Sequence, residues 1–291
     1  MKLFFPLLFL LIMGNVNASE VLTSIKPIQM ITFEITKGIS TPEVLLDSNT
    51  SPHDYALKPS DVKRLKKAAL VVWYGHDLEP FLAKILEHQS NVLTISDIND
   101  LDLRAYAPEG HHHDGHDHGT HDPHFWLGLK QSKQVAKALS NKLGQLDPDN
   151  QATYQANYQA FASDIENHAT KWREQLAPIK DVGYYVFHDA YGYFEQDYGL
   201  RHVGEFTVSP ERKPGAKTLI DIKTKLSQGD AKCVFSEPQF SPAVINSVLR
   251  GSQASTGTLD PLGTETKAGP GSYFAFIQSI VDSFVGCLGG K

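Results

Sequence analysis

The chain has 291 residues, 21% of them charged, a formal net charge of −6 and only two cysteines. A mildly acidic balance without a basic stripe excludes nucleic acid as a partner, because phosphate recognition needs clustered Lys and Arg. Beyond the amino terminus no apolar run reaches the roughly 18 residues that a transmembrane helix requires.

The first residues, "MKLFFPLLFLLIMGNVNA", join one cation at Lys2 to an apolar run from Leu3 to Met13 and a small-residue ending at Ala18. This is the pattern of a secretory signal peptide over residues 1–18. Its removal takes the charge from −6 to −7 through loss of Lys2. No cysteine follows the cleavage point to carry a lipid anchor, so a soluble, exported mature chain is expected. About 270 residues remain, enough for two cores of ordinary domain size.

Short β-rich runs then alternate with helical stretches. In residues 19–146 the runs are "EVLTSI", "PEVLLD", "ALVVWYG" and "NVLTIS", with helices predicted over residues 59–67 and 78–88. In residues 179–291 they are "VGYYVFH", "RHVGEFTV", "AKCVFSEP" and "SQASTGTLD", with helices over residues 218–227 and 272–287. Such alternation predicts parallel sheets flanked by helices. Two sets of runs imply an α/β fold of two lobes.

Between the lobes, residues 147–178 begin "DPDNQATYQANYQAF" and offer Asp147 as an N-cap with Pro148 at the first helical position. Tyr154, Tyr158, Phe161, Ile165, Ala169, Trp172 and Leu176 follow at spacings of three and four, which makes one face apolar. A helix of about 40 Å, at 1.5 Å per residue, would run along both lobes as a stiff connector. Packing within one lobe is the alternative.

The stretch "GHHHDGHDHGTHDPHFW" puts seven histidines into fourteen residues. Six of them, His111, His112, His113, His116, His118 and His121, lie among Gly and Asp in residues 110–122, a composition that cannot bury enough surface to order itself. Imidazoles on such a tether form a secondary, weaker metal site, because binding must order the chain. The alternative is a solvated loop that meets metal incidentally. "HDHGTH" misses the H-x-H-x-D-H hydrolase motif at Thr120, and no H-E-x-x-H helix exists in the chain.

In open parallel α/β sheets, ligands bind beyond the carboxyl ends of strands. His53 follows "PEVLLDSNTSP", His188 ends "VGYYVFH", Asp260 ends "TGTLD", and His124 precedes the apolar "FWLGL". Each lobe supplies two, so all four can converge in a cleft. A single histidine after a strand is more often a satisfied surface or core group; the joint pattern is what points to metal. Three imidazoles and a carboxylate suit tetrahedral Zn(II), whereas Mg(II) and Ca(II) want more oxygen. A zinc-dependent hydrolase is one alternative, since an open position could activate water, but no general-base motif accompanies it. A metal buffer or adhesin-like surface protein is another. No catalytic residue is assigned.

Cys233 and Cys287 are the only cysteines, and export places them in an oxidising compartment. A bridge between them is expected, worth about 4 kcal/mol in the chain-entropy model; two buried thiols are the alternative.

The segments "SPHDYALKPSDVKRLKKAALVVWYG", "DPHFWLGL", "FHDAYGYFEQDYGL" and "TLDPLGT", with the His/Asp tract and the late cysteine pair, resemble the zinc-specific solute-binding proteins of ABC importers. The likeness covers essentially the whole mature chain. It implies two α/β lobes joined by one rigid backbone helix, Zn(II) in the cleft, a periplasmic monomer, and delivery to a membrane permease rather than catalysis. Motif for motif, His53, His124 and His188 take the three histidine ligand positions and Asp260 that of a further ligand. Manganese-binding relatives carry Glu where His188 stands, so His here favours Zn(II). One departure is Pro52, where some zinc-binding members have Glu; this leaves the fourth position open between Asp260 and a water.

Overall fold

The computed structural model describes residues 20–106, 121–208, 210 and 213–290. The expected signal peptide, and His111, His112, His113, His116 and His118 of the histidine tract, lie outside the described residues.

Two four-stranded sheets, parallel throughout, carry the fold. The first holds β1 (Val21–Thr23), β2 (Glu43–Val44), β3 (Leu70–Trp73) and β4 (Val92–Thr94) in the order β2-β1-β3-β4. The second holds β5 (Tyr184–His188), β6 (His202–Thr207), β7 (Cys233–Ser236) and β8 (Ser255–Thr258) in the order β6-β5-β7-β8. The two orders are the same. In each the chain first steps to one side and then returns to the other, so a crevice opens at the carboxyl ends of β1 and β3, and again at those of β5 and β7.

Nine α-helices are found among the described residues: α1 (Lys26–Ile35), α2 (Pro59–Lys67), α3 (Pro80–Leu86), α4 (Leu129–Leu146), α5 (Gln151–Leu176), α6 (Gly192–Tyr198), α7 (Ala216–Gln228), α8 (Ala243–Leu249) and α9 (Ser272–Leu288). Three begin with Pro in the first turn, where a missing N–H costs nothing. Gly229 ends α7 at φ 79°, a left-handed conformation that frees the chain to turn towards β7. The predicted helix over residues 78–88 shortens to α3, because Leu78 and Glu79 donate to Gly75 O in a turn before Pro80.

Apolar burial divides into three clusters. One outer cluster packs Leu22, Val71 and Trp73 against Leu65 of α2 and Leu82 of α3. The other packs Tyr185, Phe206 and Val234 against Ile222 and Leu226 of α7 and Val248 of α8. The inner faces of both sheets share the third cluster with α1, α4, α5 and α9, running from Val21, Leu70 and Val72 to Tyr184, Phe235 and Phe284. Helix α5 lies on α1 and α4 from the first half of the chain and on α9 from the second. Its buried face is Tyr154, Phe161, Ile165, Ala169, Trp172 and Leu176, with Tyr158 at the margin. At 1.5 Å per residue its 26 residues span about 39 Å.

The start of α5 departs from the capping expected of Asp147. A 3-10 turn over Pro148–Asn150 precedes the helix, and Asp147 Oδ2 accepts from the side chains of Asn150 (2.8 Å) and Tyr154 (3.0 Å). Asp147 therefore fixes the turn through side chains rather than through backbone N–H groups.

Cys233 opens β7 and Cys287 lies in the last turns of α9; they form a disulfide with Cα atoms 6.1 Å apart across 54 residues of sequence. The bond ties the carboxyl-terminal helix to the sheet it covers. Replacing both cysteines by serine should lower unfolding stability by about 4 kcal/mol, the loop-closure value for a ring of this size. Urea denaturation checks this, and a double variant as stable as the parent contradicts it.

Candidate metal centre

Three imidazoles meet where the two sheets face each other. His53 lies in the connection from β2 to α2, His124 just before a buried 3-10 turn over Phe125–Leu127, and His188 at the last position of β5. Each offers one nitrogen to a group lying within 4.8 Å of one another. The ring centroids are 5.1 Å apart for His124 and His188, 5.6 Å for His53 and His124, and 5.9 Å for His53 and His188. His124 and His188 are buried, at 2% and 3% exposure, while His53 stays partly open.

Local sequence accounts for each placement. Burial of Phe125, Trp126 and Leu127, each 0% exposed, contributes roughly 1.5–3 kcal/mol apiece, more than the entropy of fixing one imidazole. His124 is thus held before any ligand arrives. Around His53 the chain is anchored downstream by Asp61, which accepts from Lys58 N–H and the Tyr55 hydroxyl, both at 2.9 Å. Upstream, Arg64 donates to Val44 O at 2.7 Å.

The carboxylates behind two of the imidazoles orient their rings. His124 Nδ1 lies 2.8 Å from Asp122 Oδ1, and His188 Nδ1 lies 2.7 Å from Glu237 Oε1. A carboxylate accepts, so each Nδ1 carries a proton and each Nε2 is the nitrogen turned towards the other ring. The two Nε2 atoms face each other at 3.3 Å. Two lone pairs at that distance repel unless a proton or a cation lies between them.

Electrostatics follow the same lines. Burial, and then the neighbouring His188, hold His124 well below the usual imidazole range. Burial also acts to lower His188, but the Glu237 carboxylate beside it outweighs that and raises it. Burial pushes Asp122 up to about 7, opposed by the His124 N–H and by Arg104. Arg104 Nη1 sits 3.0 Å from Asp122 Oδ2 and 3.5 Å from Asp189 Oδ1. Its guanidinium lies against Gly192, where a Cβ would force it to shift.

Asp260 lies two residues past the end of β8, near where the sequence suggests, but its carboxylate serves its own loop. Oδ1 accepts from Leu262 N–H and the Gln239 amide, both at 3.1 Å, and Oδ2 accepts from Thr264 N–H. It does not belong to the three-histidine group. His121 forms an antiparallel bridge with Ala105, and Asp122 N–H donates to Arg104 O at 2.8 Å, so the histidine tract leaves and re-enters at adjacent points.

Asp122, Glu237 and Arg104 escape a reading by ligand type. Glu237 follows β7 directly and could have been found by the strand-end rule that picks out His188. Asp122 stands two residues before His124, the spacing of a carboxylate that reaches the next imidazole.

A cleft between two parallel-sheet lobes on one shared core, with three convergent imidazoles, defines a metal-holding binding protein of the two-lobed kind. The chain belongs to the ZnuA family, described as "Zinc-uptake complex component A periplasmic", whose family model matches residues 21–287. It is 40% identical to the high-affinity zinc uptake system protein ZnuA of Yersinia pestis, over 94% of this chain and 92% of the relative. Its identity to the protein of the same name from Haemophilus ducreyi is also 40%, over 94% of each. Among solved structures, a crystal structure of ZnuA superposes with a TM-score of 0.79 at 25% identity, covering 94% of this chain and all of that one.

Loss of an orienting carboxylate should weaken metal binding without removing a ligand. Glu237→Gln and Asp122→Asn should each lower affinity for Zn(II) by about 10–100-fold, the usual effect of a lost carboxylate–imidazole contact. Chelator competition measures this; parental affinity in both variants would show that the two carboxylates do not set the imidazoles.

Proposed function

We propose that this chain captures Zn(II) in the periplasm through His53, His124 and His188 and delivers it to the membrane permease of an ABC importer. The observation that carries the reading is the pair of Nε2 atoms facing each other at 3.3 Å, with the third imidazole in reach. Neutral nitrogen donors suit Zn(II) better than the harder Mn(II). The triad is completed within one chain, in keeping with action as a monomer. The boundaries that serve this role are a first lobe over residues 19–146, the connecting helix over 147–178 and a second lobe over 179–291.

The fourth position falls to a water. Three of the four lone-pair sites of the Asp260 carboxylate already accept from Leu262, Thr264 and Gln239. The histidines of residues 110–122 supply weaker, secondary sites. A hydrolase reading gives way to the family, which is one of uptake-complex components.

Calorimetric titration of the metal-stripped chain should give one tight Zn(II) equivalent, with Mn(II) binding far more weakly. His124→Ala should lower the first affinity at least tenfold, about 1.4 kcal/mol. Deleting residues 110–120 should leave that equivalent intact and remove only weaker binding. If the deletion abolishes tight binding, or His124→Ala leaves it unchanged, the tract and not the cleft holds the metal. His188→Glu should weaken Zn(II) and improve the relative standing of Mn(II); unaltered Zn(II) affinity would take His188 out of the first shell.

A further inference from the structure

The triad is fastened across the cleft on two sides, and the fastenings differ in kind. Beside His124 the contact is charged and part-buried: Arg104, paired with Asp122 of its own lobe, reaches Asp189 of the second lobe at 3.5 Å. The Tyr193 hydroxyl there accepts from Arg104 N–H at 2.9 Å and donates to Asp122 O at 2.8 Å. Beside His53 a single backbone carbonyl does the work. Ser48 O accepts from the Gln239 amide at 3.0 Å and from the Thr264 hydroxyl at 3.2 Å. Ser48 stands in the same connection as His53, between β2 and α2. Gln239 and Thr264 belong to loops of the second lobe.

The surroundings aim this contact. Asp260 Oδ1 holds the Gln239 amide at 3.1 Å while its other oxygen takes the Thr264 N–H, so one carboxylate sets both donors. Lys26 Nζ donates to Thr264 O at 2.9 Å and pins that loop to α1. Ser48, Gln239 and Thr264 are all partly exposed. Parting them therefore leaves groups that water can satisfy, whereas parting Arg104 from Asp189 separates an ion pair whose side chains are only 20% and 14% exposed. The His53 side is the one that opens at lower cost.

We infer that Gln239 and Thr264 form a latch on the Ser48 carbonyl that holds the His53 loop against the second lobe and sets how long the bound cation stays. This rests on the reading that the triad holds Zn(II). Both are positioning residues: neither touches the cation, and both act through the placement of His53. Asp260 has its part here, as the group that orients the latch.

Stopped-flow transfer of Zn(II) from the loaded full-length mature chain to a chromogenic chelator tests this. With a net contribution near one ordinary hydrogen bond each, Gln239→Leu should speed release about fivefold and Gln239→Leu/Thr264→Val about thirtyfold. The association rate and the nitrogen count seen by X-ray absorption should stay as in the parent, a split that general loss of structure would not give. Unchanged release in the double variant, with Zn(II) still loaded, overturns the latch. So does a changed first shell, which would put Gln239 or its partner Asp260 in direct control of the ion. A parent chain that takes up no tight Zn(II) overturns the capture reading, and the latch with it.

Discussion

The site depends on two ring nitrogens brought to 3.3 Å in a place water scarcely reaches. Without a proton or a cation between them that contact is unfavourable, and side chains would rotate away from it. They cannot, because each ring is held from behind by a buried carboxylate, and each carboxylate by its own framework. Asp122 is tied to Arg104 and to the His124 N–H, and Glu237 sits at the end of β7 beside β5. Folding energy, mostly apolar burial in the shared inner core, keeps the unfavourable meeting in place. A cation that fits between the rings relieves it. The affinity is prepared by the fold rather than assembled by the ligand.

The shared core also limits how the lobes can move. A pair of separate domains on a flexible tether would swing, but here α1, α4, α5 and α9 bury one continuous apolar cluster between the sheets. Sliding those helices apart would expose large aromatic groups such as Trp126, Trp172 and Tyr273. Motion on release is therefore cheapest in the connections around the cleft, where part-exposed hydrogen bonds replace apolar contacts. That asymmetry separates a rigid pair, His124 and His188, from the more open His53.

Much of this was legible in the sequence, for identifiable reasons. Strand runs such as "ALVVWYG" and "VGYYVFH" are short, apolar and β-branched, and the regular face of α5 showed seven residues in helical register, six of them fully buried. His188 was visible because a polar residue ended an apolar strand, and His124 because a polar tract turned apolar after it. The sharing of one core by both lobes was not legible: periodicity says which face is buried, not against what. Nor was the use made of Asp260. The strand-end rule finds where a polar group sits, whereas the direction of its oxygens is decided by the turn that follows. In "DPLGT" the carboxylate satisfies backbone N–H groups two and four residues on, a local bond that forms before any distant ligand can compete.

The same competition explains why carboxylates stand behind the imidazoles and not beside them. A carboxylate in direct contact with a divalent ion adds a full charge to the interaction, strengthens the hold on harder ions, and slows departure. Placed one bond further out, through Nδ1–H, it raises the basicity of the facing Nε2 while leaving the contact surface neutral nitrogen. On the proposed reading a protein that gives up its cargo gains from that distance: the three nitrogens would set selectivity, the two acids orientation, and contacts that never touch the ion release. The charge of Asp122 is balanced by Arg104 with or without cargo, so emptying the site does not leave that acid unpaired in the interior.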